Sequence, residues 1–419
     1  MRPFFRVIIF LQLSEYFYII LISKFSDSGI CIQKTMKEKQ GKSIKEIFIY
    51  CDYVYGGGCE RVLNEVVSYL ADSEKVIVWG EKCTRKVFYE HYPYSVKYLN
   101  VDPLFHLSEK HPFLRKISSV VKKGIKSALL VWSWIACPNV FVAFREGSVT
   151  RYVSHIRSKA KYAWIHYDLG YYHWTEMIFK STEKELACLK KYDKVICVSE
   201  TVKDSVIRTI GDSKNLCVRY NPINVKSIIE QSHKECNYAF AKDRPSIVTV
   251  GRLAPDKNLG ILIDACHELE KDYSFEMIIV GDGGYKERLS SQIKNLDVKC
   301  VKLVGYKDNP YPYILNSDFY ISTSNSESYG LAIQEALILG KPVVAVNCAV
   351  LKEVFDNRFG IVTDNSKESI KAAMITMLTD KDKRSEYCRN IGNFYKKDDM
   401  YESRLEDIKS LLIDDPKSV

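Results

Sequence analysis

Residues 321–346, ISTSNSESYGLAIQEALILGKPVVAV, constrain the fold more than any other stretch of this chain. A strand end passes through a polar turn into an apolar helix, the helix stops at Gly340, Lys341 and Pro342, and a Val-rich strand follows. Strand, helix and strand in so short a span describe a crossover between parallel strands of one sheet. Glu327 falls in the turn, and Glu335, eight positions on, falls inside the helix. At about 1.5 Å of rise per residue, Glu335 stands roughly a turn and a half past Gly330. Both acids can then face the crevice above the strand ends, where open α/β sheets bind ligands. A pair of glutamates is often no more than a solvated helix face. Here Ile333, Ala336, Leu337 and Leu339 surround Glu335. The helix is therefore expected to be buried, and a buried carboxylate needs a ligand hydroxyl or a basic group beside it.

The same unit recurs along the chain. Strand-like runs at 46–51, 75–79, 96–99, 140–144, 162–166, 195–199 and 216–220 alternate with helical stretches. The first helix, 60–70, carries Val62, Leu63, Val66, Val67 and Leu70 at helical spacing. A second series follows at 246–251, 275–281, 298–305, 318–323, 342–346 and 360–362. At 419 residues the chain has room for two domains. The expected architecture is α/β, with two doubly wound, Rossmann-like parallel-sheet domains facing a central cleft. Its divisions are an apolar extension over 1–40, a first domain over 41–222, a linker over 223–243, a second domain over 244–390 and C-terminal helices over 391–419.

Five loops at strand ends are candidates to carry chemistry. GGGCERVL, 56–63, joins the first strand to the first helix. Gly57 and Gly58 let backbone N–H groups come close to a ligand at a helix N-terminus, although a tight turn would use glycine equally. VTVGRLAPDKNLGILIDA, 248–265, places Gly251 and Arg252 after a strand and Lys257 five residues on. A planar guanidinium and a compact ammonium suit the two phosphates of a nucleoside diphosphate; in another setting they would simply be solvated. FEMIIVGDGG, 275–284, ends in Gly281, Asp282 and Gly283. It lacks the third glycine of a dinucleotide fingerprint and sits in the second βα unit of its domain rather than the first, which disfavours a dehydrogenase. Finally, His166 closes the run Ala163–Trp164–Ile165 and Arg145–Glu146 follows the strand 140–144. For both, a structural role and a place in the cleft stay open.

Together these segments resemble glycosyltransferase family 4, the retaining sugar transferases of the GT-B fold, and in particular bacterial polysaccharide-biosynthesis enzymes. GGGCERVL is similar to the family's GG-x-ER-x-x loop, Gly251 to Lys257 to its GR-x-x-x-x-K, the Gly281 loop to its GDGP with Gly284 in place of proline, and Glu327 to Glu335 to its E-x7-E. Many members carry glycine where this chain has Ser328. The resemblance covers about residues 46–360. It implies transfer of a hexosyl group from a nucleotide sugar, UDP-linked in preference to GDP-linked, to a hydroxyl of a glycan or of a polyprenyl-pyrophosphate-linked glycan. Arg252 and Lys257 would stabilise the leaving phosphates, with no catalytic metal and no cofactor beyond the co-substrate. Glu327 would sit beside the sugar, Glu335 would take the ribose hydroxyls, and Ser328, Tyr329, Gly330 and Leu331 would offer helix N-terminal amides to phosphate. Tyr306 lies in the loop similar to the one that holds the nucleobase, and His166 matches a histidine near the transferred sugar. The rival from another class is a non-catalytic scaffold of the same fold; loss of Arg252, Lys257 or either glutamate would have favoured it.

Charge adds a partner. Residues 1–220 hold 34 basic against 22 acidic residues, and the remainder 27 against 30, for a net +9. A basic first half points to an anionic surface, and no nucleic-acid motif accompanies it. The segment 110–135 mixes Lys110, Arg115, Lys116, Lys122, Lys123 and Lys126 with apolar residues that include Trp132 and Trp134. It reads either as a helix lying in the headgroup plane of an anionic membrane or as one packed on its own domain. Thirteen scattered cysteines without a C-x-x-C pair fit reduced thiols. The expected location is cytoplasmic, peripheral at the inner face of the membrane. Residues 1–35 are apolar but interrupted, short of the ~20 clean residues of a span. An over-extended start before Met36, a peripheral anchor and a true span all remain open readings of them.

Overall fold

The computed structural model describes residues 44–414 except 55, 84, 106–107, 109–110, 112–113 and 396–399. The readings of residues 1–35 lie outside them. Two wholly parallel sheets form the frame. The first contains β1 (Glu46–Cys51), β2 (Lys75–Gly80), β3 (Lys97–Asn100), β4 (Val140–Ala143), β5 (Ala160–Ile165), β6 (Lys194–Cys197) and β7 (Leu216–Val218), in the order β3-β2-β1-β4-β5-β6-β7. The second contains β8 (Ser246–Val250), β9 (Glu276–Val280), β10 (Val301–Gly305), β11 (Phe319–Ser322), β12 (Val343–Val346) and β13 (Gly360–Thr363), in the order β10-β9-β8-β11-β12-β13. In each, the direction of winding reverses beside the first strand, between β1 and β4 and between β8 and β11. Loops diverge there and leave a crevice at the carboxyl ends.

The strands are Val- and Ile-rich because helices cover both faces. In β1, Ile47, Phe48, Ile49, Tyr50 and Cys51 are all buried, and Phe48 stacks on Phe141 of β4 at 5.7 Å. The helix α1 (Gly58–Ala71) follows β1 and buries Val62, Leu63, Val66, Val67 and Leu70. A long helix, α2 (Arg115–Ala136), leads to β4 and puts Trp132 5.2 Å from Phe48. The helix α3 (Glu200–Thr209) starts at Ser199, whose hydroxyl caps the Val202 N–H.

The linker is more structured than its polar composition implies. Asn224 caps a helix, α4 (Val225–Ser232), by accepting from Ser227 N–H at 2.9 Å. Ile228 of that helix enters the core of the second domain. Buried Glu276, at the start of β9, accepts from Ser246 Oγ at 2.6 Å, Ala241 N–H at 2.9 Å and Tyr238 OH at 3.1 Å, which ties the linker to the second sheet. The strand expected from 298 begins at Val301, because Asp297 ends the preceding helix with a left-handed cap, φ +55°, and Val298 still donates back to Ile293.

The helix of the opening segment is α5 (Leu331–Ile338), with left-handed Gly330 as its N-cap. The last described helix, α6 (Met400–Ile413), crosses back to the first domain. Leu405, Ile408 and Leu412 are buried in that domain's core, at about 1.5–3 kcal/mol each. Arg404 donates to the Asn221 carbonyl at 3.1 Å, so the strap also holds the end of the first domain just before the linker.

Candidate active site

On the second domain, β8 ends at Val250 and the chain turns through Gly251 and Arg252 into a short 3-10 turn, Pro255–Lys257. The turn is fixed from β11's loop: Thr323 Oγ1 donates to the Lys257 carbonyl at 2.9 Å, and Asn325 N–H to the Asp256 carbonyl at 2.8 Å. Lys257 Nζ lies 2.6 Å from Glu327 Oε1, and Ser324 Oγ donates to the same oxygen at 2.7 Å. The two residues assigned separately to phosphate and sugar are therefore one ion pair. Arg252 is different. Its side chain is 59% exposed and its nearest acid, Asp256, is 3.7 Å away, so its donors are open to an incoming anion. Arg252, Lys257 and Glu327 line one pocket with Gly251, Ser322 and Thr323.

Gly281 and Gly283 earn their place through this same loop. Both have positive φ, +148° and +158°. A Cβ on Gly281 would run into the Gly251 carbonyl, and one on Gly283 would sit 2.8 Å from Leu253 N. The turn thus lies directly on the backbone that carries Arg252, with Leu253 N–H donating to the Asp282 carbonyl at 2.9 Å. The Asp282 carboxylate is engaged locally, by Lys286 Nζ at 2.9 Å and Gly283 N–H at 2.7 Å. Gly281→Ala is expected to lower the melting temperature, through backbone strain of about 1–3 kcal/mol. Thermal unfolding of the variant checks this, and an unchanged value would remove the close approach as the reason for glycine.

Glu335 is buried, as its neighbours in sequence imply, and its partner comes from the other domain. Arg61 Nη1 of α1 lies 2.8 Å from Glu335 Oε1 and donates to Tyr311 OH at 2.7 Å. Tyr311 is buried beneath the pair, its hydroxyl 3.4 Å from the same Oε1. Burial pushes the Glu335 carboxyl above the ordinary range, against the pull of Arg61 and Tyr311. Glu335 Oε2 is buried with no hydrogen-bond partner among the described residues. Tyr306, by contrast, is half exposed.

The first domain brings its own strand ends to the crevice. Gly57 is the extended N-cap of α1, and Gly58 opens the helix. A Cβ on Gly58 would be 3.1 Å from Leu331 Cδ1, so this glycine admits α5 of the facing domain. Ser328 supplies further contacts across the cleft: its Oγ accepts from Asp168 N–H at 3.2 Å, and its carbonyl from Ser199 Oγ at 2.7 Å. The departure from glycine at this position is thus used as a domain bridge. Ser326 Oγ donates to Asp168 Oδ2 at 2.9 Å beside it. Tyr329 is buried and stacks toward Tyr220 at 5.9 Å.

His166 follows β5, with its ring 4.8 Å from Phe144 and 5.8 Å from Trp164. Burial, reinforced by the Arg145 charge, pushes its pKa down to about 3, so the imidazole is neutral at physiological pH. Its Nε2 is buried and makes no hydrogen bond among the described residues. Glu146 accepts from the His166 backbone N–H at 3.0 Å, and Arg145 lies 3.3 Å from Asp52 and 3.6 Å from Glu60. Asp168 and Asp52 are cleft residues to which sequence reasoning gave no role, while Arg61, in the GG-x-ER-x-x loop, and Tyr311, in the loop of Tyr306 likened to the one that holds the nucleobase, lay in site segments without a role for their side chains.

Two family models match the chain. Residues 56–227 match Glycosyltransferase Family 4, and residues 231–396 match Glycosyl transferases group 1. The chain belongs to glycosyltransferase family 4. Among its relatives is the N-acetylgalactosamine-N,N'-diacetylbacillosaminyl-diphospho-undecaprenol 4-alpha-N-acetylgalactosaminyltransferase of Campylobacter jejuni, 28% identical over 209 residues, 47% of this chain and 54% of that one. The poly(ribitol-phosphate) alpha-N-acetylglucosaminyltransferase of Staphylococcus aureus is 30% identical over 138 residues, 32% of this chain and 28% of that one. The chain spans about half the length of the first curated relatives it matches. Among solved structures, Anabaena HepE in complex with UDP and glucose superposes with a TM-score of 0.70 at 19% identity, covering 90% of this chain and 100% of that one. TarM superposes at 0.69 and 14% identity, covering 88% and 99%. The architecture of this family 4 member is GT-B.

Proposed function

We propose that the protein is a retaining glycosyltransferase that moves a hexosyl group from a UDP-sugar to a hydroxyl of a glycan or lipid-linked glycan in surface polysaccharide biosynthesis. One observation carries the reading: a single crevice holds an open guanidinium, Arg252, beside the Lys257–Glu327 pair. In the reaction the sugar–phosphate bond breaks while the acceptor oxygen bonds to the same face of the anomeric carbon. The electron pair of the broken bond goes to the leaving phosphate, which takes up the acceptor's proton. Arg252 would bind the growing phosphate charge, and Lys257, held by Glu327, would add a positioned ammonium, the work a metal does elsewhere. Glu327 would accept from a sugar hydroxyl through Oε2 while Oε1 holds Lys257. Glu335, through Oε2, would take a ribose hydroxyl. Neutral His166 would hydrogen-bond a sugar hydroxyl rather than act as a charged acid. UDP is favoured because the structural neighbour HepE is described with UDP and glucose. Incubating the protein with a panel of UDP- and GDP-sugars, and following donor consumption and the anomeric configuration of the product by NMR, tests the reading. An inverted product, or consumption of no donor, would overturn it.

We further propose peripheral attachment at the inner face of the membrane through α2. The structure revises how the six basic residues of 110–135 divide. Lys110 lies outside the described residues. Lys122 and Lys126 turn inward, where Lys122 pairs with Glu81 at 2.9 Å and Asp102 at 3.3 Å, and Lys126 with Glu81 at 2.8 Å. Burial opposes the Glu81 charge, but Lys126, Lys122 and the Tyr50 hydroxyl hold its pKa down at about 2. The outward face exposes Ile117, Val120, Val131, Trp134 and Ile135, with Arg115, Lys116 and Lys123 also exposed on the helix. No helix among the described residues is long and apolar enough to cross a membrane. Changing Arg115, Lys116 and Lys123 to Gln should weaken binding to anionic vesicles about 100-fold, from about 1 kcal/mol per charge. Vesicle co-sedimentation reads this; undiminished binding would exclude α2 as the docking face.

A further inference from the structure

Arg61 has no individual role so far, yet it makes a direct polar link between the two domains beside the donor crevice. It stands on α1 of the first domain, and its two partners, Glu335 and Tyr311, belong to the second. The contact is asymmetric. The Arg61 side chain is 42% exposed, whereas that of Glu335 is 5% exposed, so water reaches the guanidinium but barely reaches the acid. Glu335 also divides its oxygens: Oε1 is filled by Arg61 and Tyr311, and buried Oε2 has no partner among the described residues. A half-satisfied buried carboxylate is costly, and an ordered ligand hydroxyl at Oε2 would complete it.

We propose that Arg61 is a positioning residue that couples nucleotide binding to closure of the cleft. Glu335 presents Oε1 to Arg61 across the cleft and Oε2 to a ribose hydroxyl of the bound nucleotide. This rests on the reading of the crevice as a nucleotide-sugar site. A hydroxyl on Oε2 keeps the carboxylate ionised and oriented, which strengthens the bond from Arg61 on Oε1. The same bond, made first, orients Oε2 for the nucleotide. By reciprocity, whatever the nucleotide adds to closure, closure adds to nucleotide affinity. Closure also sets Gly58 against Leu331, 3.1 Å from the position of an added Cβ, and so brings the first domain's loops to the donor. A further domain bridge, at Glu353, provides the internal comparison. Glu353 accepts from Thr201 N–H at 2.8 Å and Glu200 N–H at 3.0 Å at the start of α3, and touches neither Arg61 nor Glu335 by hydrogen bond.

The experiment uses the full chain, with UDP and GDP as probes, calorimetry for affinity and small-angle scattering for closure. The parent is expected to contract on binding UDP. In Arg61→Ala, UDP affinity should fall about tenfold and the contraction should vanish. Arg61→Lys, which keeps one donor to Oε1, should recover part of both. Glu353→Gln should loosen the free protein while leaving the UDP-driven contraction in place. Arg61 is exposed enough that its variants should fold, and melting curves for each confirm this. Contraction in Arg61→Ala equal to the parent's would overturn the coupling, as would a Lys variant no better than Ala. Equal loss of contraction in Glu353→Gln would reduce Arg61 to general adhesion between domains. If the parent binds neither UDP nor GDP, the reading of the crevice itself fails, a result distinct from all of these.

Discussion

Arg252→Ala is expected to cut turnover by about 10²–10³-fold, the range for removing one preorganised donor from a developing charge. Stability should hardly move, because the Arg252 side chain is largely exposed and its acid partner is 3.7 Å away. Lys257→Ala should lose a comparable factor in turnover but also several degrees in melting temperature. Its side chain is only 20% exposed, with the ammonium 2.6 Å from a Glu327 whose side chain is 16% exposed, so the variant leaves a poorly hydrated carboxylate with Ser324 for company. Adding Glu327→Gln to Lys257→Ala should restore the melting temperature without restoring turnover. Steady-state rates and thermal unfolding on the three variants separate charge stabilisation from structural support. Because the two cations are proposed to do a metal's work, EDTA should leave the parent's activity unchanged. Full turnover in Arg252→Ala, or its collapse with EDTA, would show that the charge is handled elsewhere.

Much of this site was legible because parallel sheets concentrate ligand chemistry at strand ends. Gly251, Arg252 and Lys257 announce themselves by following a Val-rich strand, and the apolar neighbours of Glu335 imply burial with a ligand hydroxyl or a basic group beside it; the structure shows the burial and a basic group. The partner's identity was beyond reach. Arg61 is 274 residues away in sequence, and no spacing rule connects the faces of two separately folded sheets. The glycines of 281–283 were visible as a loop, but their cause, the backbone of Gly251 and Leu253 pressed against them, is again a contact between distant segments.

The helix α2 shows a different kind of miss. A list of six basic residues treats them alike, whereas helical spacing places Lys122 and Lys126 on one side, four residues apart. What turns that side inward is buried Glu81, just after β2, and buried Asp102, just after β3. Acidic residues directly after apolar strands were the available signal. The strap α6 was legible only as part of the C-terminal helices, and the structure puts Leu405, Ile408 and Leu412 on its buried face. Which of two cores that face would join is decided by where the chain can return, and the answer is the first domain.

The second large effect is expected at Glu335, where function and stability should move in opposite directions. Burial raises its folded-state pKa above the ordinary carboxylate value despite Arg61 and Tyr311. The folded state therefore binds this proton more tightly than the unfolded chain does. That contribution to stability is fully present below the unfolded pKa and is lost as pH rises through the folded one. At neutral pH the ionised carboxylate is accordingly a net cost to the fold. Glu335→Gln removes the charge, keeps an oxygen for Arg61, and leaves behind a guanidinium that water already reaches. The variant should melt above the parent at neutral pH, and the two curves should converge on acidification through the carboxylate range. UDP binding should weaken at the same time by about 1.5–3 kcal/mol, or roughly 10- to 150-fold, through loss of a charge-assisted hydrogen bond to ribose. A destabilised variant with undiminished UDP affinity would make Glu335 a purely structural partner of Arg61; a stabilised one that binds UDP poorly would mark the charge as kept for the ligand.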